Sequence, residues 1–372
     1  MKTTLKTISY FIMLASIYSI NMSCSQNKKI DIKTSENFPA TFNLSHQTIH
    51  TEPKLYAVGG LLLMDSVLIT IDMRADTFFQ AFKLPAYNNV GSFINKGDGP
   101  EEELFIDPFV QGISGNKFFY RDVSSLKTVD FNTHTNKLDL VEKIDLPEDL
   151  LTLCHIFRLG DNIIGCKFDE PTNKEFVAYN IKTKDIFDFG PDFPSTEKNI
   201  KPLYKNKIFV KANTVKPDGS AFASVYDKFP IIRIYSNKGE LKSETYLENN
   251  QVFPDALTAN NPTKSSVNEI MQNYRIIKSS NNFIYSLYIG KTVEEMPVGL
   301  NDFSNEIHVW DWEGTAIMKI LLDKKIFTFD VDPNDDYLLC SSLESLDELY
   351  KYELNETFQN ISDISKPLGN QE

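Results

Sequence analysis

Acid–base, metal or nucleophilic chemistry in this chain would have to be assembled from few residues. There are five histidines, His46, His50, His134, His155 and His308, and four cysteines, Cys24, Cys154, Cys166 and Cys340. A structural zinc site draws on closely spaced Cys or His pairs. No Cys-x-x-Cys occurs, and His46 and His50, four apart, fall in an extended-type segment rather than on one helical face. Serine chemistry needs a nucleophile beside a base. The nearest run to a nucleophile elbow, Gly112-Ile113-Ser114-Gly115, lacks the Gly-x-Ser-x-Gly spacing and reads as a turn. The acidic pairs Glu294-Glu295 and Asp335-Asp336 lie in evident turns and read as surface. No catalytic residue, metal ligand or cofactor motif emerges, although a ring of carboxylates for Ca²⁺ stays open around Asp98 and Glu102.

The remaining cysteines admit two readings. If Cys24 is set aside, three are left, which excludes a disulfide scaffold. Cys154 and Cys166 flank Gly160-Asp161-Asn162 and would face each other across a hairpin, either bridged in an oxidising compartment or as buried free thiols.

Cys24 itself closes an export signal. Lys2 and Lys6 precede an apolar stretch from Ile8 to Ile20, and Asn21-Met22-Ser23-Cys24 follows. The apolar stretch is shorter than the roughly 20 residues a membrane-spanning helix needs, so the layout is that of a secretory signal. Asn21-Met22-Ser23-Cys24 resembles a bacterial lipoprotein box, with Asn21 where Leu is usual; the resemblance implies cleavage after Ser23 and lipidation of Cys24, which would attach the chain to a membrane. Residues 24–39 then read as a linker. Lys28 and Lys29 follow the cysteine without an early acidic run, which favours the periplasmic side over the cell surface.

The elements that would position any site emerge from an internal repeat. Six segments, from Val67, Leu126, Glu175, Ile231, Glu306 and Glu348, each read as strand, polar turn, strand, the turns opening near Asp72, Asp130, Asn180, Ser236, Asp311 and Glu353. Five intervals from Val67 to Glu348 give a mean period of roughly 56 residues, longer than WD40 blades. Further β-rich runs precede the hairpins, among them Lys117–Tyr120, Cys154–Arg158 and Lys207–Lys211, so each period supplies four strands. Runs such as Leu61-Leu62-Leu63 are apolar on consecutive residues, as strands covered on both faces are. Helix is confined to Pro147–Leu151 and Pro262–Gln272. The reading is all-β: a six-bladed β-propeller of four-stranded antiparallel blades over residues 40–365, with 366–372 as a tail. The segment Ala40–His50 would close the ring by completing the last blade. A β-sandwich or a seven-bladed ring is the alternative.

The lipoprotein-like start, the six hairpins and Gly97-Asp98-Gly99-Pro100-Glu101-Glu102 together resemble the TolB-like six-bladed propeller lipoproteins of Bacteroidota, in which Gly-x-Gly-Pro-x-Glu commonly follows the first blade. The resemblance implies an envelope-located propeller and carries over no catalytic residue. Physically, Gly97 and Gly99 would permit positive φ and Pro100 would fix its own, making a rigid reversal.

With 41% hydrophobic and 12% aromatic residues the chain can build a large core. Its formal charge of -13, about -15 without residues 1–23, argues against nucleic acid as a partner, since that recognition leans on basic patches. Binding at a central channel is therefore expected, of an envelope protein or a glycan, with His155, Arg158 and Arg275 on inner strands as candidate contacts and the insertions Glu248–Asn268 and Lys291–Ser304 as candidate loops. The competing function is a propeller hydrolase or lyase acting on glycans or small esters. Asp65-Ser66-Val67 also matches the Asp-Ser/Thr-apolar tripeptide of O-glycosylation in such bacteria.

Overall fold

Strands apolar on consecutive residues must be covered on both faces, and this chain covers them by standing six sheets side by side around a channel. In the computed structural model, described for residues 31–358 except 36, 100–101, 169, 196–199, 249–268, 297–303 and 356, the chain begins with three short strands: β1 (Asp31–Ser35), β2 (Thr41–Leu44) and β3 (Gln47–His50). The signal segment, Cys24, Pro100, Glu101, the tail 366–372, most of both long insertions and the expected helix as far as 268 lie outside the described residues. Met271 and Gln272, at the end of that expected helix, are in a strand.

The first blade is β4 (Val58–Met64), β5 (Val67–Asp72), β6 (Thr77–Lys83) and β7 (Asn88–Lys96), edged by β8 (Glu102–Glu103). The second is β9 (Gln111–Ser114), β10 (Lys117–Arg121), β11 (Ser125–Asn132) and β12 (Lys137–Asp145). The third is β13 (Leu153–Leu159), β14 (Asn162–Lys167), β15 (Phe176–Asn180) and β16 (Ile186–Phe189). The fourth is β17 (Lys211–Val215), β18 (Ala221–Tyr226), β19 (Ile231–Ser236) and β20 (Leu241–Leu247). The fifth is β21 (Met271–Ser279), β22 (Phe283–Thr292), β23 (Ser304–Asp311) and β24 (Ala316–Ile326). The sixth is β25 (Thr328–Val331), β26 (Tyr337–Ser341) and β27 (Glu348–Glu353), completed by β3. Within every blade the four main strands run antiparallel, in sequence order except for β3 of the sixth, with β4, β9, β13, β17, β21 and β25 innermost. β5, β18 and β19 are buried along their whole length.

Each boundary between blades has its own apolar core. Ile69, Ile71 and Phe79 of the first blade meet Phe118, Tyr120 and Val129 of the second. Leu126 and Ile144 meet Ile163 and Val177, Phe157 and Phe176 meet Phe222 and Tyr235, and Ala223 and Ile234 meet Ile284 and Trp310. Leu287 and Met318 meet Phe329 and Tyr352, and Leu339 and Leu349 of the sixth blade meet Leu61 and Leu68 of the first. The structure is thus a closed six-bladed β-propeller.

The N-terminal strands lace the outside. β3 pairs antiparallel with β27, Ile49 opposite Leu349, so the ring is closed by an N-terminal strand as the sequence predicts. β2 adds a fifth, parallel strand to the fifth blade beside β24. β1 adds a fifth to the fourth blade beside β20, so a strand stands within the stretch read as linker. Between them Phe38 is buried with its ring 4.3 Å from His308 and 4.9 Å from Trp310.

The repeat differs from the sequence reading in two copies. In the second to fifth blades the hairpin is the third and fourth strands, and its turn is held by a side-chain oxygen that accepts two backbone N–H groups: Asn132, Asn180, Ser236 and Asp311. In the first blade the copy from Val67 is the second and third strands, one strand out of phase. Its Asp72 accepts four N–H groups, from Tyr56, Ala57, Arg74 and Ala75, at the opposite face of the ring. The last copy is no hairpin, because β3 takes the place of its second strand.

Three smaller readings also change. Lys207 and Ile208 end a helix, α1 (Pro202–Ile208), rather than opening a strand. Gly112–Ser114 belong to β9, with the turn after them. Asp335 is buried, accepting from Tyr285 Oη at 2.7 Å and Asn282 Nδ2 at 2.9 Å. The Pro147–Leu151 region does hold one 3-10 turn, Glu148–Leu150.

Candidate functional site

The six innermost strands enclose a cavity of about 650 Å³ that runs along the propeller axis. Three of those strands carry an irregularity at a similar level. The pairing slips between Val58 and Gly60 in β4, between Cys154 and Phe157 in β13 and between Tyr274 and Ile276 in β21. The residues left unpaired include Gly59, His155 and Arg275, and all three line the channel. A bulge inserts a residue and re-aims its side chain. At His155 the insertion places a non-glycine residue at φ +51°, a conformation that costs free energy and concentrates at functional positions.

His155 lies at the mouth where the innermost strands begin. Phe109, from the loop before β9, stands with its ring centroid 6.0 Å from the imidazole; Asp107 fixes that loop by accepting the Phe109 N–H at 3.0 Å. Burial, then the positive charges of Arg275 and Lys211, hold His155 down to about 4, so the ring is neutral at ordinary pH. Arg275 is exposed toward the channel. Tyr56, Met73, Leu104, Phe105, Phe109, Val123 and Leu151 are exposed apolar side chains in loops of the first three blades at this same end.

Deeper in, polar side chains of the inner strands are spent on ties between blades. Gln111 receives the Arg158 N–H at 2.8 Å and donates to the Arg158 carbonyl at 3.1 Å. Asn213 donates to the His155 carbonyl at 3.0 Å and accepts from Ser224 at 2.7 Å. Thr214 and Ser279 bond at 2.9 Å. Lys278 donates to the Leu61 carbonyl at 3.0 Å, and Asp330 accepts the Leu63 N–H at 2.7 Å, joining the fifth and sixth blades to the first. Burial raises the Asp330 carboxyl against the pull of Lys278. The opposite mouth carries Asp65 and Asp218. Asp65-Ser66, the acceptor tripeptide's first two residues, form the turn from β4 to β5 there.

The sequence-derived candidates therefore separate. His155 and Arg275 share the channel. Arg158 does not line it: its guanidinium bonds to Glu142, to Thr128 Oγ1 at 3.1 Å and to the Gly160 carbonyl at 3.2 Å, fastening the third blade to the second. Asp98 and Glu102 lie at the outer edge of the first blade, away from the channel. There Glu102 accepts the Gly99 N–H at 3.1 Å, while Glu103 pairs with Lys127 of the second blade. Neither Gly97 nor Gly99 has positive φ. They are required for room: a Cβ on Gly97 would stand 1.9 Å from the Glu102 carboxylate, and one on Gly99 3.0 Å from it. The first and last residues of Gly-x-Gly-Pro-x-Glu are thus one contact. Among the described residues no group of three or more His, Cys, Asp or Glu could hold a metal ion.

Cys154 and Cys166 are register partners across β13 and β14, as the hairpin reading places them. Both are free thiols, and the Cys154 thiol donates to the Cys166 carbonyl at 3.1 Å. Burial pushes Cys154 up to about 12, which withholds the thiolate that nucleophilic chemistry needs. Phe109, Met73, Lys278 and Asp330 were not singled out from the sequence. Phe109 and Met73 sit in loops whose position depends on strand phase, and Lys278 and Asp330 look like ordinary surface charges in an alternating strand.

No protein of curated function matches the chain. Among solved structures it is similar to a DUF4221 family member from Bacteroides vulgatus ATCC 8482, with a TM-score of 0.57 at 8% identity over 83% of this chain and 95% of that one. It is also similar to a protein of Bacteroides fragilis NCTC 9343 named for its predicted export, with a TM-score of 0.54 at 13% identity over 87% and 98%. At these identities the likeness is one of fold. A family model described as TolB-like 6-blade propeller-like matches residues 10–334. Six blades, the strap that closes them and this match lead to one conclusion: the chain belongs to the TolB-like six-blade propeller family.

Proposed function

We propose that this chain is a non-catalytic, exported binding propeller of the cell envelope, anchored by lipid at Cys24 on the periplasmic side, whose ligand enters the central channel at the His155–Arg275 mouth. The observation that carries the binding reading is the pair of bulges in β13 and β21, which turn His155 and Arg275 into a cavity of about 650 Å³, the size of pockets that hold small ligands. Around them the inner-strand polar groups tie blade to blade, and the Cys154 thiol beside His155 in sequence is packed against the core between blades and held protonated, which favours a rigid receptacle over a nucleophilic centre. The envelope reading is supported by the signal layout before Cys24 and by the protein of similar fold that is named for its predicted export. A glycan or a segment of an envelope protein fits the mouth, where exposed apolar side chains surround polar ones.

Two experiments test it. Thermal-shift screening of the purified protein against glycans, envelope peptides and divalent metals should give a rise with an organic ligand, since a native-state binder stabilises by mass action. That rise should vanish in Arg275→Ala. A rise with metal alone, reversed by chelator, would instead revive the hydrolase or lyase alternative. In cells, Cys24→Ala should abolish incorporation of labelled fatty acid and release the protein from membranes; unchanged fractionation would refute the anchor.

A further inference from the structure

We propose that the exposed apolar side chains around the His155 mouth form a docking crest for a protein segment that combines apolar side chains with Lys or Arg, a partner class that rests on, and is narrower than, the binding reading above. Single exposed apolar residues are ordinary on a protein surface, whereas a connected patch marks an interaction site. Here the loops that carry them are bonded to one another. Met73 donates its N–H to the Ala57 carbonyl at 2.8 Å, and Asp72 accepts the Tyr56 N–H at 2.7 Å. A Cβ on Gly59 would meet both the Met73 side chain and Pro108, so Met73 and the Pro108–Phe109 loop border one spot. The Asp107 N–H donates to the Arg121 carbonyl at 3.0 Å, and the Arg121 guanidinium donates in turn to the Leu151 and Leu153 carbonyls. Tyr56, Met73, Phe109, Val123 and Leu151 therefore follow one another from the first blade to the third, Tyr56 58% and Phe109 48% exposed. The Phe109 ring borders His155, whose imidazole makes no hydrogen bond among the described residues and offers one to a partner's backbone.

Charge selects the occupant. Asp76, Asp98, Glu148 and Asp149 are exposed on loops at the same end, along the border of the crest. None of the four side chains makes a hydrogen bond or ion pair among the described residues. Of the bases on these loops, Lys54 is paired with Asp347 at 2.9 Å and Arg121 is turned in onto carbonyls, which leaves Arg74 facing those acids. The border is therefore negative, as is the chain as a whole with its formal charge of -13. Complementary charge speeds encounter and rejects wrong partners. An anionic lipid surface meets repulsion here, and a fully polar glycan leaves the apolar side chains uncovered. A segment that lays apolar side chains on Tyr56, Met73, Phe109 and Leu151 and sets Lys or Arg against the acids satisfies both. The bonds between the loops hold the crest ready-formed, so little ordering is required on docking.

The test is selection of phage-displayed random dodecapeptides on the full-length chain, with the enriched peptides then titrated against three double variants. Phe109→Ser with Leu151→Ser strips the crest, and Glu148→Lys with Asp149→Lys reverses its border. Leu140→Ser with Val141→Ser is the control, since these two are equally exposed but lie on the outer strand of the second blade. Enriched peptides should carry apolar residues with Lys or Arg. They should bind the first two variants at least about tenfold more weakly and the control like the parent, as loss of central contacts requires. All substituted residues are exposed, so melting temperatures should stay near the parent's. Enrichment of acidic or fully polar peptides, no enrichment, or equal binding to crest and control variants would overturn the proposal. So would flotation with phosphatidylglycerol vesicles that is weaker only in the crest variant, which would give the crest to a membrane, or a dimer in sedimentation that the crest variant disperses. If the crest fails while an organic ligand still raises the melting temperature in an Arg275-dependent way, the channel reading stands; without that rise both fail.

Discussion

Glu175 and Arg233 form an ion pair of 3.0 Å across the boundary between the third and fourth blades, with the Glu175 side chain wholly out of contact with solvent. The same carboxylate accepts from Tyr235 at 2.8 Å, from Tyr226, and from Lys211 at 3.3 Å, whose ammonium also stands 4.4 Å from the Phe176 ring. Burial alone would raise the Glu175 carboxyl; Lys211 and Arg233 hold it below its usual range. Removing one member of such a set leaves buried charge uncompensated. Glu175→Ala should therefore cost about 3–5 kcal/mol, read as a lower urea midpoint at unchanged slope. Glu175→Gln, which keeps an acceptor for the tyrosines, should cost less; equal loss in both would show that the carboxylate's charge carries the whole effect and its acceptance from the tyrosines none.

The contact between Gly97 and Glu102 makes a second, quantitative expectation. A methyl group at 97 must displace the Glu102 carboxylate, which is the far end of a flexible, exposed side chain and can swing away. The loss is then chiefly the bond to the Gly99 N–H, about 1 kcal/mol, rather than a core clash. Gly97→Ala and Glu102→Ala should each lower stability by that amount, and the double variant by little more than either alone, because both remove the same contact. Additive losses in a double-mutant cycle would mean that the two residues act independently.

How legible this molecule is in its sequence depends on the range of the interaction that fixes each part. Val67-Leu68-Ile69 needs cover on both faces, and Asn180, Ser236 and Asp311 bind their own backbones; such local signals suffice for six blades. Strand phase is different. The Val67 copy looks like the other hairpins but occupies the second and third strands, and the Glu348 copy has no second strand of its own because the outer strand of the sixth blade is supplied from Gln47–His50, some 300 residues away. The Gly-x-Gly-Pro-x-Glu motif reads as a rigid reversal, whereas the strands that flank it run parallel and its glycines make room for the packing contact between Gly97 and Glu102. In the channel, His155 and Arg275 could be named as inner-strand residues. Their convergence could not, since it arises from bulges that strand patterning does not reveal, while Arg158 alternates onto the seam with the second blade.

The N-terminal strap should be structural rather than a passive tether. Phe38 is buried against His308 and Trp310, and β2 and β3 bridge the fifth and sixth blades. Phe38→Ala should cost about 3–5 kcal/mol as a buried aromatic truncation, seen as a lower melting temperature with a single transition. Deleting residues 31–50 removes the fourth strand of the sixth blade and should broaden or split the transition. A deletion variant that melts like the parent would show that three strands close the ring unaided.

Acid should destabilise the propeller before its carboxylates titrate. Burial depresses His155, to about 4, and likewise depresses His308 despite the bond of 2.7 Å to Glu306. Unfolded histidine titrates near 6.5, so the unfolded chain binds more protons and stability falls as pH drops below that value. For each such histidine the slope is at most about 1.4 kcal/mol per pH unit, and for His155 it persists to its folded pKa. Asp122 and Glu175, whose folded carboxyls are depressed, lose their stabilisation only below the ordinary carboxylate range, so pH 7 to 5 isolates the histidines. The elevated carboxyl of Asp330 works in the opposite direction but is common to both proteins compared. Between pH 7 and 5, urea unfolding should show His155→Asn losing about 1–2 kcal/mol less than the parent. Parallel losses would mean that His155 is not held neutral, and that the left-handed bulge presents an imidazolium, not an imidazole, to the channel.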